Sequence, residues 1–308
     1  MLRFLFPLLL VFAFPIWALS QVQANGEGPW PKTGESASLR IWTANDLYYL
    51  PRKTDKYYSA GAGAVYSRYD WTTIDEEAYR REKSWSLRLD IFTPKDIATE
   101  TLIVTDRPYA SYSVLEHFRG IQRPRGWSFS NQYTAGVLGK YSGGGAAQNA
   151  VHRMVSFADE LTGWQNEVKP DVILNYRTSA TKSIFLTHRL SVLATGTGRL
   201  GTLFTDASIG LGARWRMIGH ANGNCLRLAV ATERKWVGYN ATLSGGLFNK
   251  DDRFRGVVEP ERFVRNSRVT ADLRVGPLGF EAGVHWVGAE FVGGQRHVFG
   301  VVGVGFFW

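Results

Sequence analysis

Short runs in which apolar and polar residues alternate recur along most of the chain. In Ser84–Ile91, Trp85, Leu87, Leu89 and Ile91 fall on one side and Ser84, Ser86, Arg88 and Asp90 on the other. Arg268–Val275 sets Val269, Ala271, Leu273 and Val275 against Arg268, Thr270, Asp272 and Arg274. Ser183–Val192 reads the same way, with Ile184, Leu186, Leu190 and Val192 opposite Ser183, Thr187, Arg189 and Ser191. A period of two is the signature of a β-strand, whose successive side chains point to opposite faces. About a dozen such segments are present, beginning near 38, 57, 83, 109, 127, 168, 183, 202, 224, 263, 279 and 297.

In water, a strand with one charged and one aliphatic face needs a second sheet to cover it. In a bilayer the same pattern satisfies both solvents when the sheet closes on itself. The expected fold is therefore all-β: a transmembrane, antiparallel, up-and-down barrel of about twelve strands. Short turns such as Ala180–Lys182 and Gly276–Leu278 belong on the periplasmic side. The longer connections 47–56, 94–108, 141–167, 194–201 and 237–262 belong outside. The insert Asp70–Glu82 breaks this alternation, falling on the periplasmic side. One stretch departs from the strand pattern. GGGAAQNAVHRM, residues 143–154, reads as a short helix in the third outer connection, with Gln148, Asn149 and His152 on one face.

Composition sharpens this picture. Arg3 precedes an apolar run from Phe4 to Leu19, and Val22-Gln23-Ala24 is a small-x-Ala site, together a secretory signal peptide over 1–24. Cleavage is expected after Ala24, with Ser20 as the alternative, leaving 25–308 as a single barrel domain. The later sequence has no apolar stretch long enough for a membrane helix, yet it is rich in Trp, Tyr, Phe and Gly. Cys225 is the lone cysteine, so no disulfide joins two parts of the chain. The first 24 residues hold one Arg and no acid. The remainder thus carries 35 basic against 27 acidic side chains, net +8. For an exported barrel, that charge points to a phosphorylated lipid surface rather than to nucleic acid.

Candidate chemistry gathers at the outer strand ends. Asn45-Asp46 closes the first strand. Ser59 opens the second on the same face as Gly61, Gly63 and Ser67, opposite Tyr58, Ala60, Ala62, Ala64 and Tyr66. With Gln148, Asn149 and His152 in the third outer connection, these groups are expected to converge on one rim. A carboxylate and an amide oxygen suit a hard cation such as calcium. Imidazole titrates near neutrality and serves as a general base.

Together these stretches resemble the outer-membrane lipid A 3′-O-deacylase family. The resemblance lies in Ala44-Asn45-Asp46, Tyr58-Ser59-Ala60-Gly61, Asp106-Arg107-Pro108-Tyr109-Ala110, Gln148-Asn149, His152-Arg153 and Gly163-Trp164-Gln165, in the same order over essentially the whole chain after the signal peptide. The ending GVVGVGFFW similarly looks like the C-terminal recognition signal of outer-membrane barrels. The resemblance implies a twelve-stranded barrel that hydrolyses the 3′ acyloxyacyl ester of lipid A in the outer leaflet with calcium. His152 would be the base, Asn45 and Asp46 the pair beside Ca2+, and Ser59 the active-site hydroxyl. Gln148 and Asn149 would flank the substrate.

The chain also departs from that pattern. A Lys-Arg pair important in relatives aligns with Thr99 and Glu100, leaving Lys95 or Arg107 as candidates to grip a phosphate. An acidic family position aligns with Ala158, or with Asp159 after a one-residue gap. Two other readings stay open: a non-enzymatic barrel for transport or surface interaction, and an esterase on another lipid with Ser59 as nucleophile. Asp251-Asp252 lacks the Glu of a calcium loop, Gly143–Gly145 lacks the GK[ST] of a phosphate loop, and His188 falls among outward aliphatics.

Overall fold

A computed structural model describes residues 34–49, 56–74, 77–97, 100–154, 161–219 and 224–308. The signal segment, Thr99, Ala158 and Asp159 lie outside these described residues. Twelve strands form the wall: β1 (Ala37–Asn45), β2 (Tyr57–Ile74), β3 (Glu77–Thr93), β4 (Ala110–Gln122), β5 (Trp127–Leu138), β6 (Asp171–Phe185), β7 (Leu190–Gly201), β8 (Phe204–Gly219), β9 (Cys225–Asn240), β10 (Phe263–Val275), β11 (Leu278–Val287) and β12 (His297–Phe307). Each pairs antiparallel with its neighbour in sequence, and β1 also pairs with β12, closing the barrel. Closure leaves no sheet edge to desolvate in lipid.

The alternation resolves as expected. Arg88, Glu116, Arg177, Arg199, Asp206 and Lys235 line a polar cavity of about 230 Å³ in the lumen. Leu87, Leu115, Leu174 and Leu211 stand exposed on the opposite, lipid-facing side. β1 begins and β12 ends at the same end of the barrel, where Ser38 pairs with Phe307. The short connections 123–126 and 186–189 lie at that end, which is therefore periplasmic. The described residues of the long connections after β1, β3, β5, β9 and β11 lie at the other. There, Leu243, Phe254, Val258 and Phe291 join the lumen-facing Tyr58, Phe92 and Tyr112 in one buried cluster that fills the outer mouth.

Several expectations are corrected. Asp70–Glu82 is not an insert. β2 and β3 run on in register, Asp70 opposite Arg81 and Trp71 opposite Arg80, up to Ile74 and Glu77. Ser183–Val192 is not one strand. A turn at 186–189 ends β6 and starts β7, because the Thr187 hydroxyl accepts from the backbone N–H of both Arg189 and Leu190. His188 therefore sits in a turn, Ala180–Lys182 lies inside β6, and 194–201 belongs to β7 rather than to an outer loop. The pattern survives the turn because Leu186 and Leu190 keep the parity of the strands they flank. A further outer connection, 288–296, completes the external set.

Candidate functional site

Residues directly opposite in an antiparallel ladder project to the same side of the sheet, so the register assigns faces. One row runs Asn45, Ala60, Ile91, Ser111 across β1 to β4. The next row toward the periplasm is Thr43, Ala62, Leu89, Ser113, and the next is Ile41, Ala64, Leu87, Leu115. Leu87 is 63 % and Leu115 45 % exposed, which marks these rows as lipid-facing. At the outer end this face is small and polar: Ala60, Ala62, Ser111, Ser113. Ile91 and Ser111 share the face of the exposed leucines yet are buried.

What buries them is the helix α1 (Gly144–Met154), which packs on the outside of the wall. A Cβ on Gly144 would overlap Ser111 and touch Ile91, so only glycine lets the helix backbone lie this close. Gly143, at φ 81°, turns the chain from the 3-10 segment Gly139–Ser142 into α1. Serine hydroxyls fix the seat: Ser111 Oγ lies 2.6 Å from Ser142 Oγ, and Ser113 Oγ donates to the Ser142 carbonyl at 2.7 Å. Ser111 also bonds the carboxylate of Glu167, which burial pushes up to about 7 against the pull of the Ser111 bonds.

Asn45 lies in the outermost row of this face. β1 ends at Asn45, whose side-chain oxygen accepts from Leu47 N at 2.8 Å and so caps the 3-10 turn Asp46–Tyr48. The strand stops there, and Asp46, the first residue of the turn, is buried. Ser59 sits in a β-bulge between Tyr58 and Ala60, 2.5 Å from the hydroxyl of Thr93, two residues beyond Ile91 on β3. The extra residue reverses parity. Tyr58, expected beside Ala60, instead faces the lumen, where its hydroxyl donates to Asp90 at 2.6 Å.

Gln148 and Asn149 tether the helix. Gln148 Oε1 accepts from Trp164 Nε1 at 3.1 Å, and the Asn149 amide exchanges bonds with Leu161 N and O at 2.9 and 3.3 Å. His152 lies eight residues beyond Gly144, about 12 Å along the axis. Asn45 lies three strand spacings, about 14 Å, from Ser111. Lys95 has an exposed side chain, and its backbone N–H donates to Asp106 at 2.7 Å.

Arg107 does not match the phosphate-gripping expectation. It is 1 % exposed and donates to Glu290 and Thr242, each at 2.6 Å, with its guanidinium carbon 4.2 Å from the Phe92 ring centre. Burial works against the Glu290 charge, yet the Arg107 guanidinium holds its carboxyl below the usual range. Asp251 is likewise spent internally, on Arg253 and the Lys169 backbone. Among the described residues, no three His, Cys, Asp or Glu side chains converge as metal ligands. Asn45 and Asp46 supply oxygen donors of the kind calcium takes, fewer than its usual six to eight. Thr93, Ser111, Ser142 and Glu167 were not anticipated. The signal was there: serines at 111 and 113 occupy lipid-facing positions where leucine would be expected.

Fold and site define a class, an outer-membrane-type β-barrel with a polar, helix-covered site on the lipid side of its wall. The family model described as Outer membrane protein LpxR matches residues 5–308, so the chain belongs to that family. Among solved structures it is similar to LpxR from Salmonella typhimurium, with TM-score 0.72 and 19 % identity, covering 89 % of this chain and 100 % of that one. It is also similar to the COG4313 outer membrane channel from Pseudomonas putida F1, with TM-score 0.54 and 10 % identity, covering 94 % and 100 %. No curated protein sequence matches it. The protein resides in the bacterial outer membrane.

Proposed function

We propose that the protein is a lipid A 3′-O-deacylase, hydrolysing the 3′ acyloxyacyl ester of lipopolysaccharide in the outer leaflet. The observation that carries this reading is the side of the wall on which the polar residues lie. Asn45, Ser111 and the shelf of alanines share the lipid-facing side of the wall, where α1 packs on Ile91 and Ser111, while the loop cluster fills the lumen mouth. A transport protein has reason to place such groups inside.

In this reading His152 accepts a proton from water as the water oxygen attacks the ester carbonyl. The imidazolium then returns that proton to the departing sugar oxygen as the ester C–O bond breaks, releasing the acyl chain as a carboxylic acid that gives its remaining proton to solvent. Asn45 and Asp46 would hold Ca2+, which when bound supplies positive charge toward the carbonyl oxygen. Gln148, Asn149 and Glu167 hold the helix in place. Thr99 and Glu100, standing where relatives carry Lys-Arg, bear on which phosphorylated head group is accepted.

Mass spectrometry of lipid A from cells expressing wild type, His152→Ala and Asp46→Ala is the test. Loss of the 3′ chain is expected only with wild type, and only when calcium is supplied. An unchanged lipid A profile with wild type would sink the activity, and a deacylating His152→Ala variant would sink the base. The alternative of a Ser59 nucleophile lacks support, because the near partner of Ser59 is the Thr93 hydroxyl rather than an imidazole. Labelling by a serine-reactive phosphonate would reinstate it.

A further inference from the structure

The lipid-facing rows continue down the wall to the periplasmic end, where their chemistry changes twice. Below the leucines comes a row of rings, Tyr66, Trp85, His117, Tyr133 and Tyr176, each directly opposite the next across β2 to β6. The Trp85 and His117 rings stack at 4.3 Å, and Tyr133 and Tyr176 meet at 5.3 Å. Such a girdle marks a membrane interface. One row further, Arg68, Lys83 and Arg119 stand in line across β2, β3 and β4. Arg81 follows in the next row, opposite Asp70. All four cations are exposed.

The depth is right for head groups. Lys83 is eight residues from Ile91, about 26 Å along the strand. At a tilt near 40° that is about 20 Å of depth, close to the apolar band of about 25 Å that a barrel presents. The Ile91 row therefore lies near one interface and the Lys83 row near the other. Like charges directly opposed in a ladder repel. Within these two rows the one carboxylate is Asp70, 3.8 Å from Lys83. Arg119 is held in place, its Nε donating to His117 Nε2 at 3.0 Å. Nearby, Arg123 lies over the Phe129 ring at 5.4 Å and Lys182 over Trp127 at 5.1 Å, further cations seated on girdle aromatics.

We propose that Arg68, Lys83 and Arg119 bind an anionic glycerophospholipid of the periplasmic leaflet. The phosphodiester sits among the three cations, and the acyl chains run along Trp85, Leu87 and Leu115. This site is independent of the hydrolytic one: it faces the other leaflet, and its ligand is not turned over.

The test is native mass spectrometry of the full-length protein released from mixed micelles holding equal phosphatidylglycerol and phosphatidylcholine. Wild type should retain phosphatidylglycerol preferentially, with the preference falling as ionic strength rises. Each cation replaced by Gln should lower it about fivefold. R68K/R119K should keep it, and K250Q/R265Q, exposed cations near the outer end, should leave it unchanged. A wild type with no preference would overturn the proposal without recourse to any variant. So would an R68Q/K83Q/R119Q protein, folded by circular dichroism, that keeps the wild-type ratio. Equal loss in K250Q/R265Q would reduce the effect to general charge.

Discussion

Glu167 ties the helix carrying His152 to the wall through Ser111 and Ser142, and it does so from a buried position. Its carboxyl is raised from the ordinary 4.5 to about 7, chiefly by burial. For an acid this means the folded state holds its proton longer than the open state. Stability is complete below 4.5, falls as pH rises between 4.5 and about 7, and is then flat. That gap is worth about 3 kcal/mol, or about 300-fold in an opening equilibrium. The full effect should appear in the helix rather than in the barrel, which strand pairing holds independently. Hydrogen exchange of peptides covering 144–154, corrected for intrinsic rate, should show opening that increases from pH 5 to pH 7. Glu167→Gln keeps an oxygen acceptor for Ser111 and removes the titration, so its profile should be flat and as protected as wild type at acid pH. Wild-type protection that is constant, or that grows with pH, would refute the burial argument.

Gly144→Val should lift α1 from Ile91 and Ser111 at a cost of about 1–3 kcal/mol. Helix exchange should rise and lipid A deacylation fall, with barrel circular dichroism unchanged. Arg107→Ala leaves the half-buried Glu290 carboxylate without its partner and should destabilise the outer loops by about 1–3 kcal/mol, read as faster protease cleavage within 241–262 and 288–296. Because Arg107 holds Glu290 below the usual carboxylate range, that pair contributes stability above the unfolded glutamate value and loses it as pH falls through the folded one. Loop protection should therefore drop in acid, opposite in sign to the helix. Removing Ser59 should restore regular pairing in β2 while leaving Tyr58 opposite Phe92 in the lumen, so its ring should stay as shielded from lipid-phase quenchers as in wild type.

Nearly all the wall was legible because lipid outside and water inside impose a period of two on every strand. It failed where that period carries no information. Leu186 and Leu190 keep alternation through a turn, so only the Thr187 hydroxyl bonds reveal the break. The Ser59 bulge adds one residue without changing composition, and it reverses the face of Tyr58. Asn45, Asp46 and His152 were legible as residues. The partners that position the site, Ser111 with Glu167, are 56 residues apart, and Arg107 with Glu290 are 183 apart. No local pattern records such pairs.

The shelf beneath α1 opens onto the side of the barrel, and this governs how anything reaches it. A molecule dissolved in water meets a protein in three dimensions, at a rate set by molar concentration. A lipid reaches this face by lateral diffusion within one leaflet, so encounter depends on its mole fraction among neighbouring lipids. For the proposed deacylation, diluting the cells should change nothing, whereas diluting the substrate with inert lipid in the same leaflet should slow the reaction in proportion. The wall thus makes membrane composition, rather than supply from solution, the variable to which the site responds.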